Sequence, residues 1–272
     1  MAEAARHGQP GAVGFLTDVT LCIGCKACEV ACKQWNDLPA DGDDRLSARS
    51  YDNTDDLGAT TWRHVVFVER EATDSQPFAW LMLSDVCKHC VHAGCMEACP
   101  TGAIVRTEFD SVYIQQDVCN GCGYCVPACP FGVPQLDHAD GRVHKCTLCY
   151  DRLRGGLEPA CAKACPTDSI RFGPVEELLT IGRARVETLK GRGSSEASLY
   201  GDAELGGTNG IGGLNALFVL NDAPEVFNLP AAPSLPQRKV APAFLATLAA
   251  GACFALLGAA AFRPPQPGSE RT

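Results

Sequence analysis

The stretch Cys119-Asn-Gly-Cys122-Gly-Tyr-Cys125-Val-Pro-Ala-Cys129-Pro130 decides how this chain is read. Its cysteines follow the pattern C-x2-C-x2-C-x3-C-P. Three thiolates on one tight loop cap three irons of a cubane cluster, and the fourth, beyond that loop's reach, crosses to a neighbouring cluster before proline turns the chain. Working outward, three more groups of four appear: Cys22, Cys25, Cys28, Cys32; Cys87, Cys90, Cys95, Cys99; and Cys146, Cys149, Cys161, Cys165. The second group widens one gap to four residues and the fourth widens one to eleven, as loop insertions would. Pro100 and Pro166 repeat the terminal proline, and Lys33 stands in its place after the first group. Sixteen of 17 cysteines are thereby assigned as ligands of four 4Fe-4S clusters.

Two other uses of cysteine fit less well. Structural zinc takes four ligands, usually two from each C-x2-C knuckle, so a third cysteine three residues on has no role. Disulfide scaffolds are mostly short secreted chains without a core of their own. The remaining cysteine, Cys253, lies in an apolar run and reads as a small hydrophobe.

The chain has 272 residues, a net charge of −9 and 46% hydrophobic residues, a figure raised by the cysteines and by the C-terminal run. The acidic balance and the lack of a Lys/Arg block argue against nucleic acid as a partner. The core is therefore modest, and cluster binding is expected to contribute directly to folding, so that removal of iron costs structure. Residues 1–20 contain no apolar stretch of secretory-signal length, which taken alone points to the cytoplasm. Residues 240–262 change that expectation, since 23 residues without a charge are long enough to span a bilayer. Pro242 is expected in the first turn of this helix, where proline is tolerated. Arg238 and Lys239 precede the span and Arg263 and Arg271 follow it, so the distribution of positive charge selects no orientation.

The expected fold class is α+β: tandem two-cluster ferredoxin-like modules with short hairpins and helices, plus a C-terminal transmembrane helix. The four-cluster domain covers residues 1–174 with an insertion at 34–86. Within that insertion, 63–69 and 78–83 read as strands about a turn at Asp74, Ser75 and Pro77. Residues 103–105 and 112–114 form an expected hairpin, and Asp140-Gly141 signals another. A unit of loop, short helix and hairpin is thus expected four times. Residues 175–227 form an extension that packs on the domain: the apolar rhythm of Val175, Leu178, Leu179, Val186 and Leu189 predicts a helix, 191–213 a loop and 214–220 a buried strand. A proline-rich linker at 228–239, the span, and a polar tail at 263–272 complete the chain.

No dinucleotide fingerprint, phosphate loop or nucleophile elbow is present in the sequence, and no catalytic residue is assigned. His89, His92, His138 and His144 lie near complete thiolate sets and read as surface residues or as neighbours of the ligands. Lys26, Lys88, Asn120 and Lys145, between or beside the cysteines, are candidates for tuning cluster potentials.

Several segments together resemble one family. They are Cys22-Ile-Gly-Cys-Lys-Ala-Cys-Glu-Val-Ala-Cys32, Tyr51-Asp52-Asn53 with Asp56-Leu57 and Trp62, Cys119-Asn-Gly-Cys-Gly-Tyr-Cys125, Lys145-Cys-Thr-Leu-Cys149 and Glu158-Pro-Ala-Cys161. The family is the iron-sulfur (beta) subunit of respiratory membrane-bound formate dehydrogenases of the N and O types. It lies within the four-cluster beta subunits of molybdopterin oxidoreductases, to which the cysteine motifs alone would point. The resemblance covers nearly the whole chain and implies an electron-transfer subunit with no active site of its own. The implied partners are a catalytic alpha subunit with a molybdenum or tungsten pterin and a membrane cytochrome b-type gamma subunit that reduces quinone. It also implies a cluster domain on the extracytoplasmic side, carried across by the alpha subunit's twin-arginine signal. Finally, it implies a pairing that spacing alone leaves open: Cys22, Cys25, Cys28 with Cys165; Cys146, Cys149, Cys161 with Cys32; Cys87, Cys90, Cys95 with Cys129; and Cys119, Cys122, Cys125 with Cys99. A beta subunit for a different oxidoreductase, such as a dimethyl sulfoxide reductase or a hydrogenase, is the alternative, and a zinc-built interaction protein a more distant one.

Overall fold

A computed structural model describes residues 11–40, 52, 54, 56–72, 78–202 and 210–262. The turn expected at Asp74, Ser75 and Pro77, the motif residues Tyr51 and Asn53, and the tail at 263–272 lie outside the described residues. The chain divides into two compact units, Met1–Leu235 and Pro236–Thr272.

In the first unit, β1 (Val13–Asp18) leads into the first ligand loop and α1 (Ala27–Asn36). The insertion supplies a long hairpin, β2 (Arg63–Arg70) and β3 (Ala79–Val86), in a register that pairs Arg63 with Val86 and Arg70 with Ala79. After the second loop come α2 (Gly94–Glu97) and the hairpin β4 (Ile104–Arg106) and β5 (Val112–Ile114). After the third come α3 (Cys125–Ala128) and the hairpin β6 (Gln135–Asp137) and β7 (Arg142–His144), which turns at Asp140-Gly141 as expected. The fourth loop is followed by α4 (Tyr150–Arg154), α5 (Ala160–Lys163) and β8 (Ile170–Pro174). Here the expected fourfold repeat breaks. β8 is not half of a local hairpin; it pairs antiparallel with β1, Thr17 opposite Ile170, and so closes the last unit onto the first.

The extension contributes α6 (Val175–Gly191), β9 (Ser198–Tyr200) and β10 (Ala216–Leu220). β9 lies within the stretch read as a loop, and with β10 it completes a four-stranded sheet in the order β8-β1-β10-β9. β10 runs parallel to β1, Phe15 opposite Ala216. Its Ala-Leu-Phe-Val-Leu is buried throughout because both faces of the sheet are covered. Leu16, Leu217 and Val219 pack with Val175, Leu178, Leu179, Val186 and Leu189 of α6 on one face, while Phe15, Ala216, Phe218 and Leu220 join the core around the ligand loops on the other. Each such large apolar side chain contributes about 1.5–3 kcal/mol on burial. The strand spacing at the centre of the sheet demands a glycine, since a Cβ on Gly14 would fall 1.8 Å from the Asn215 carbonyl oxygen.

Residues 211–216 also brace a ligand loop. The Lys88 carbonyl accepts the N–H groups of Asn215 and Ala216 at 3.1 Å each, Val91 N–H donates to Gly213 and His92 N–H to Ile211. The extension is thus joined to the cluster domain by backbone hydrogen bonds as well as by apolar contact.

The second unit is described as one helix, α7 (Pro236–Ala261). At 1.5 Å per residue its 26 residues reach about 39 Å, beyond the roughly 30 Å of a hydrocarbon core. It begins four residues before the expected span, so Pro242 lies inside the helix rather than in its first turn and removes one i→i−4 donor there.

Candidate metal centres

Each ligand loop must turn several groups toward one point, and the backbone does this in the same way four times. The residue two after the first cysteine has a left-handed conformation in every loop: Gly24 (φ 65°), His89 (φ 44°), Gly121 (φ 70°) and Leu148 (φ 59°). Such turns orient successive N–H groups into an anion-binding concavity. At Gly121 there is a second reason for glycine, because a Cβ would come within 1.9 Å of the Gly141 carbonyl oxygen on the β6–β7 turn.

The loops and the remote cysteines meet in quartets. Cys22, Cys25, Cys28 and Cys165 line one small cavity, with Val65, Ser84 and Ile170. Cys99, Cys119, Cys122 and Cys125 line another, with Ile104, Ile114 and Val143. Between these two ends, the thiol of Cys32 lies close enough to Cys146, Cys161 and Cys149 for mutual repulsion of their charges, and Cys90 is in the same relation to Cys129, Cys87 and Cys95. The charges felt across the gaps run in one order: Cys28 feels Cys161, Cys146 feels Cys87, and Cys95 feels Cys125. Four quartets therefore stand in single file, and the fourth cysteine of each comes from a different group than the first three. Spacing had left that grouping open.

The chemistry of the set suits metal. All seventeen cysteines are free thiols. Burial, joined by repulsion from neighbouring cysteines, pushes Cys28, Cys125 and Cys149 up to about 11 and Cys95 up to about 12, and raises Cys32, Cys90 and Cys146 as well. A buried group of thiols that ionises so reluctantly gives thiolates only when a cation replaces the protons. Cys99 departs from this trend. Its slight burial raises it, but hydrogen bonds from the Thr101 hydroxyl and from the backbone of Thr101, Ala103 and Ile104 outweigh that and lower it.

Side chains outside the cysteine groups complete the shells. The Ser84 Oγ lies 3.1 Å from Cys28 Sγ. Thr101 and Thr167 approach Cys99 and Cys165 at 3.6 and 3.8 Å, and Leu148 N–H donates to Cys146 Sγ at 3.3 Å. The repeated Cys-Pro-Thr at 99–101 and 165–167 is the sequence signal for the two threonines; Ser84 has none, because it reaches Cys28 from a hairpin 56 residues away. Of the expected tuning residues, Lys88 and Lys145 are buried. Lys88 pairs with Asp85, and Lys145 donates to the carbonyls of Val112 and Cys146 and faces Cys87 and Cys95. Lys26 instead pairs outward with Asp52 at 3.0 Å, and Asn120 accepts the Cys122 N–H. His89 is fully buried with Nδ1 accepting the Val112 N–H, so it holds its loop; burial and then the charges of Lys145 and Arg106 keep it neutral. His144 pairs with Asp140 and stacks on Trp62, and His138 is exposed.

Comparison with known proteins agrees with this chemistry. Two family models, each described as a 4Fe-4S dicluster domain, match residues 21–104 and 78–175. The formate dehydrogenase iron-sulfur subunit of Haemophilus influenzae is 45% identical over 230 residues, 82% of this chain and 70% of that protein. The formate dehydrogenase-O iron-sulfur subunit of Escherichia coli is 44% identical over 229 residues, 83% of this chain and 73% of that protein. The B subunit of the anaerobic dimethyl sulfoxide reductase of Escherichia coli is 38% identical over 167 residues, 61% of this chain and 75% of that protein. Two dicluster domains and four thiol quartets together account for four 4Fe-4S clusters.

Proposed function

The chain belongs to the iron-sulfur subunits of formate dehydrogenase, and from that premise we propose that it relays electrons from a catalytic subunit holding a molybdenum or tungsten pterin, where formate is oxidised to carbon dioxide, to a membrane cytochrome b-type subunit and on to quinone. The observation that carries this reading is the single file of quartets with an exposed cysteine at either end, Cys25 in the first and Cys122 in the last. Exposed ends let electrons enter and leave by contact with partners, while the buried middle excludes water. Each 4Fe-4S cluster supplies a centre that takes up and gives up one electron.

In this reading the sixteen cysteines are the iron ligands. Cys22, Cys25, Cys28 and Cys165 hold the first cluster, Cys32, Cys146, Cys149 and Cys161 the second, Cys87, Cys90, Cys95 and Cys129 the third, and Cys99, Cys119, Cys122 and Cys125 the fourth. Residues 1–174 act as the cluster domain, and 175–227 as a brace for it. We infer further that α7 anchors the chain as a single pass, with the cluster domain on the extracytoplasmic side. Protease added to intact spheroplasts would then degrade the cluster domain, and protection of it would reverse the assignment.

Purification of the chain with its partners, followed by assay of formate-dependent dye reduction, tests the proposal. Iron and sulfide in the complex together with formate activity are expected. A complex that reduces dimethyl sulfoxide and leaves formate untouched would favour the alternative reading as a beta subunit of another oxidoreductase. The longer match to formate dehydrogenase subunits supports formate.

A further inference from the structure

The first two quartets have a cation buried at their junction. Arg63, the first residue of β2, is 1% exposed, and none of its three guanidinium nitrogens has a hydrogen-bond partner among the described residues. Its guanidinium carbon lies 4.8 Å from the centre of the Phe15 ring, which covers one face. The cysteines whose charge it feels belong to both quartets: Cys22 and Cys28 on one side, Cys32, Cys146 and Cys161 on the other. Burial works against this charge, and those thiolates outweigh it.

A fully buried charge with five N–H donors and no acceptor is a costly arrangement. Guanidinium cannot shed a proton to escape it, as a lysine could. The arrangement makes sense if acceptors stand around the edge of the guanidinium, in the plane in which its N–H groups lie, and sulfurs of two neighbouring clusters are acceptors of that kind.

We propose that Arg63 is a counter-charge shared by the two clusters of the Cys22 and Cys146 groups, its guanidinium donating hydrogen bonds to sulfurs of both and holding the reduction potentials of both up. This rests on the cluster reading given above. Reduction adds one electron to a cluster that is already negative, so a fixed positive charge stabilises the reduced form more than the oxidised one. Arg63 exchanges no proton or electron; it sets the level at which each cluster accepts one. Serving two clusters at once, it keeps their levels matched and lessens the repulsion that an electron on one exerts on the other. It is a positioning and tuning residue, and no spacing rule marks it, because it lies midway along the insertion between the first and second cysteine groups.

The test is a redox titration followed by EPR on the full complex, comparing Arg63→Met and Arg63→Lys with the parent. In Arg63→Met two of the four clusters should become harder to reduce, each by tenfold or more in the reduction equilibrium, 59 mV per tenfold for one electron. The other two should be unmoved, and Arg63→Lys should recover most of the shift. Four clusters by iron and sulfide analysis, with potentials equal to the parent's in Arg63→Met, would overturn the proposal. Should every variant assemble fewer than four clusters, the parent labelled with ¹⁵N-arginine decides. Guanidinium nitrogen coupling on two reduced cluster signals supports the shared counter-charge, and its absence refutes it. Absence of iron from the parent complex would instead sink the cluster reading itself.

Discussion

Ser84 and Cys28, 56 residues apart in the chain, meet with Oγ 3.1 Å from Sγ, both fully enclosed. As the sulfur of a ligating thiolate carries no proton, the hydroxyl is the donor. It bonds more strongly to the more negative, reduced cluster. Ser84→Ala should therefore lower the potential of the first cluster by an amount on the order of 1 kcal/mol in free energy, with iron content unchanged. A redox-poised EPR titration reads the shift, and an unaltered potential would show that the hydroxyl is merely packed there.

Cys165 lines the cavity of Cys22, Cys25 and Cys28 rather than one formed by its own group. Cys165→Ser should disturb the cluster held by the first group and spare the one associated with Cys146 and Cys149. EPR of the reduced protein distinguishes the two. Loss of the signal that also disappears in Cys146 variants would refute the crossed pairing.

At Gly121 two constraints coincide, a φ of 70° and a carbonyl 1.9 Å from where a Cβ would stand. Gly121→Ala must push the β6–β7 turn away from the ligand loop and is expected to cost about 1–3 kcal/mol. Thermal unfolding of the anaerobic protein should show the loss, accompanied by fewer irons per chain.

How far the sequence carried these readings depends on range. The four cysteine groups were legible because ligands three residues apart leave a local pattern, and the hairpin at 135–144 because its Asp140-Gly141 turn does, whereas which group lends its fourth cysteine to which was not. The sheet β8-β1-β10-β9 was not legible either, since Phe15 meets Ala216 across two hundred residues and Val13–Asp18 carries no turn or repeat that announces a partner. β9 escaped for the same reason, as three residues in a glycine-rich stretch acquire a strand conformation only from β10. Arg63 reads as an ordinary polar residue at a strand start, and only the fold reveals that it is enclosed.

Acid should release iron. With Cys28, Cys125 and Cys149 pushed up to about 11 and Cys95 up to about 12, these four thiols are protonated at neutral pH in the empty sites, whereas in the loaded sites they are thiolates. Loading therefore expels protons, one for each of these thiols, and rising pH favours the loaded form over the whole range below about 11. An iron chelator should strip the protein faster and further at pH 6.5 than at pH 8.5. Equal retention at the two values would contradict the buried-thiol picture.

The apolar character of α7 can be tested by breaking it. Leu248→Arg with Phe254→Arg adds roughly 5–7 kcal/mol to the transfer of the helix into a bilayer. Carbonate washing should then extract the variant from membranes that retain the parent. Equal retention of both would mean that attachment does not depend on this helix.

The way the quartets draw on the chain makes them unequal as building blocks. All eight cysteines of the third and fourth quartets come from residues 87–129, so this inner pair is a module drawn from one short run of chain and closed over by the hairpin at 135–144 and by Lys145. The outer pair is a clasp: Cys22 waits for Cys165, and β1 for β10, before either is complete. On a ribosome the inner module can mature while the clasp still gapes, and any nick or truncation that parts the two ends of the chain should cost the outer pair first.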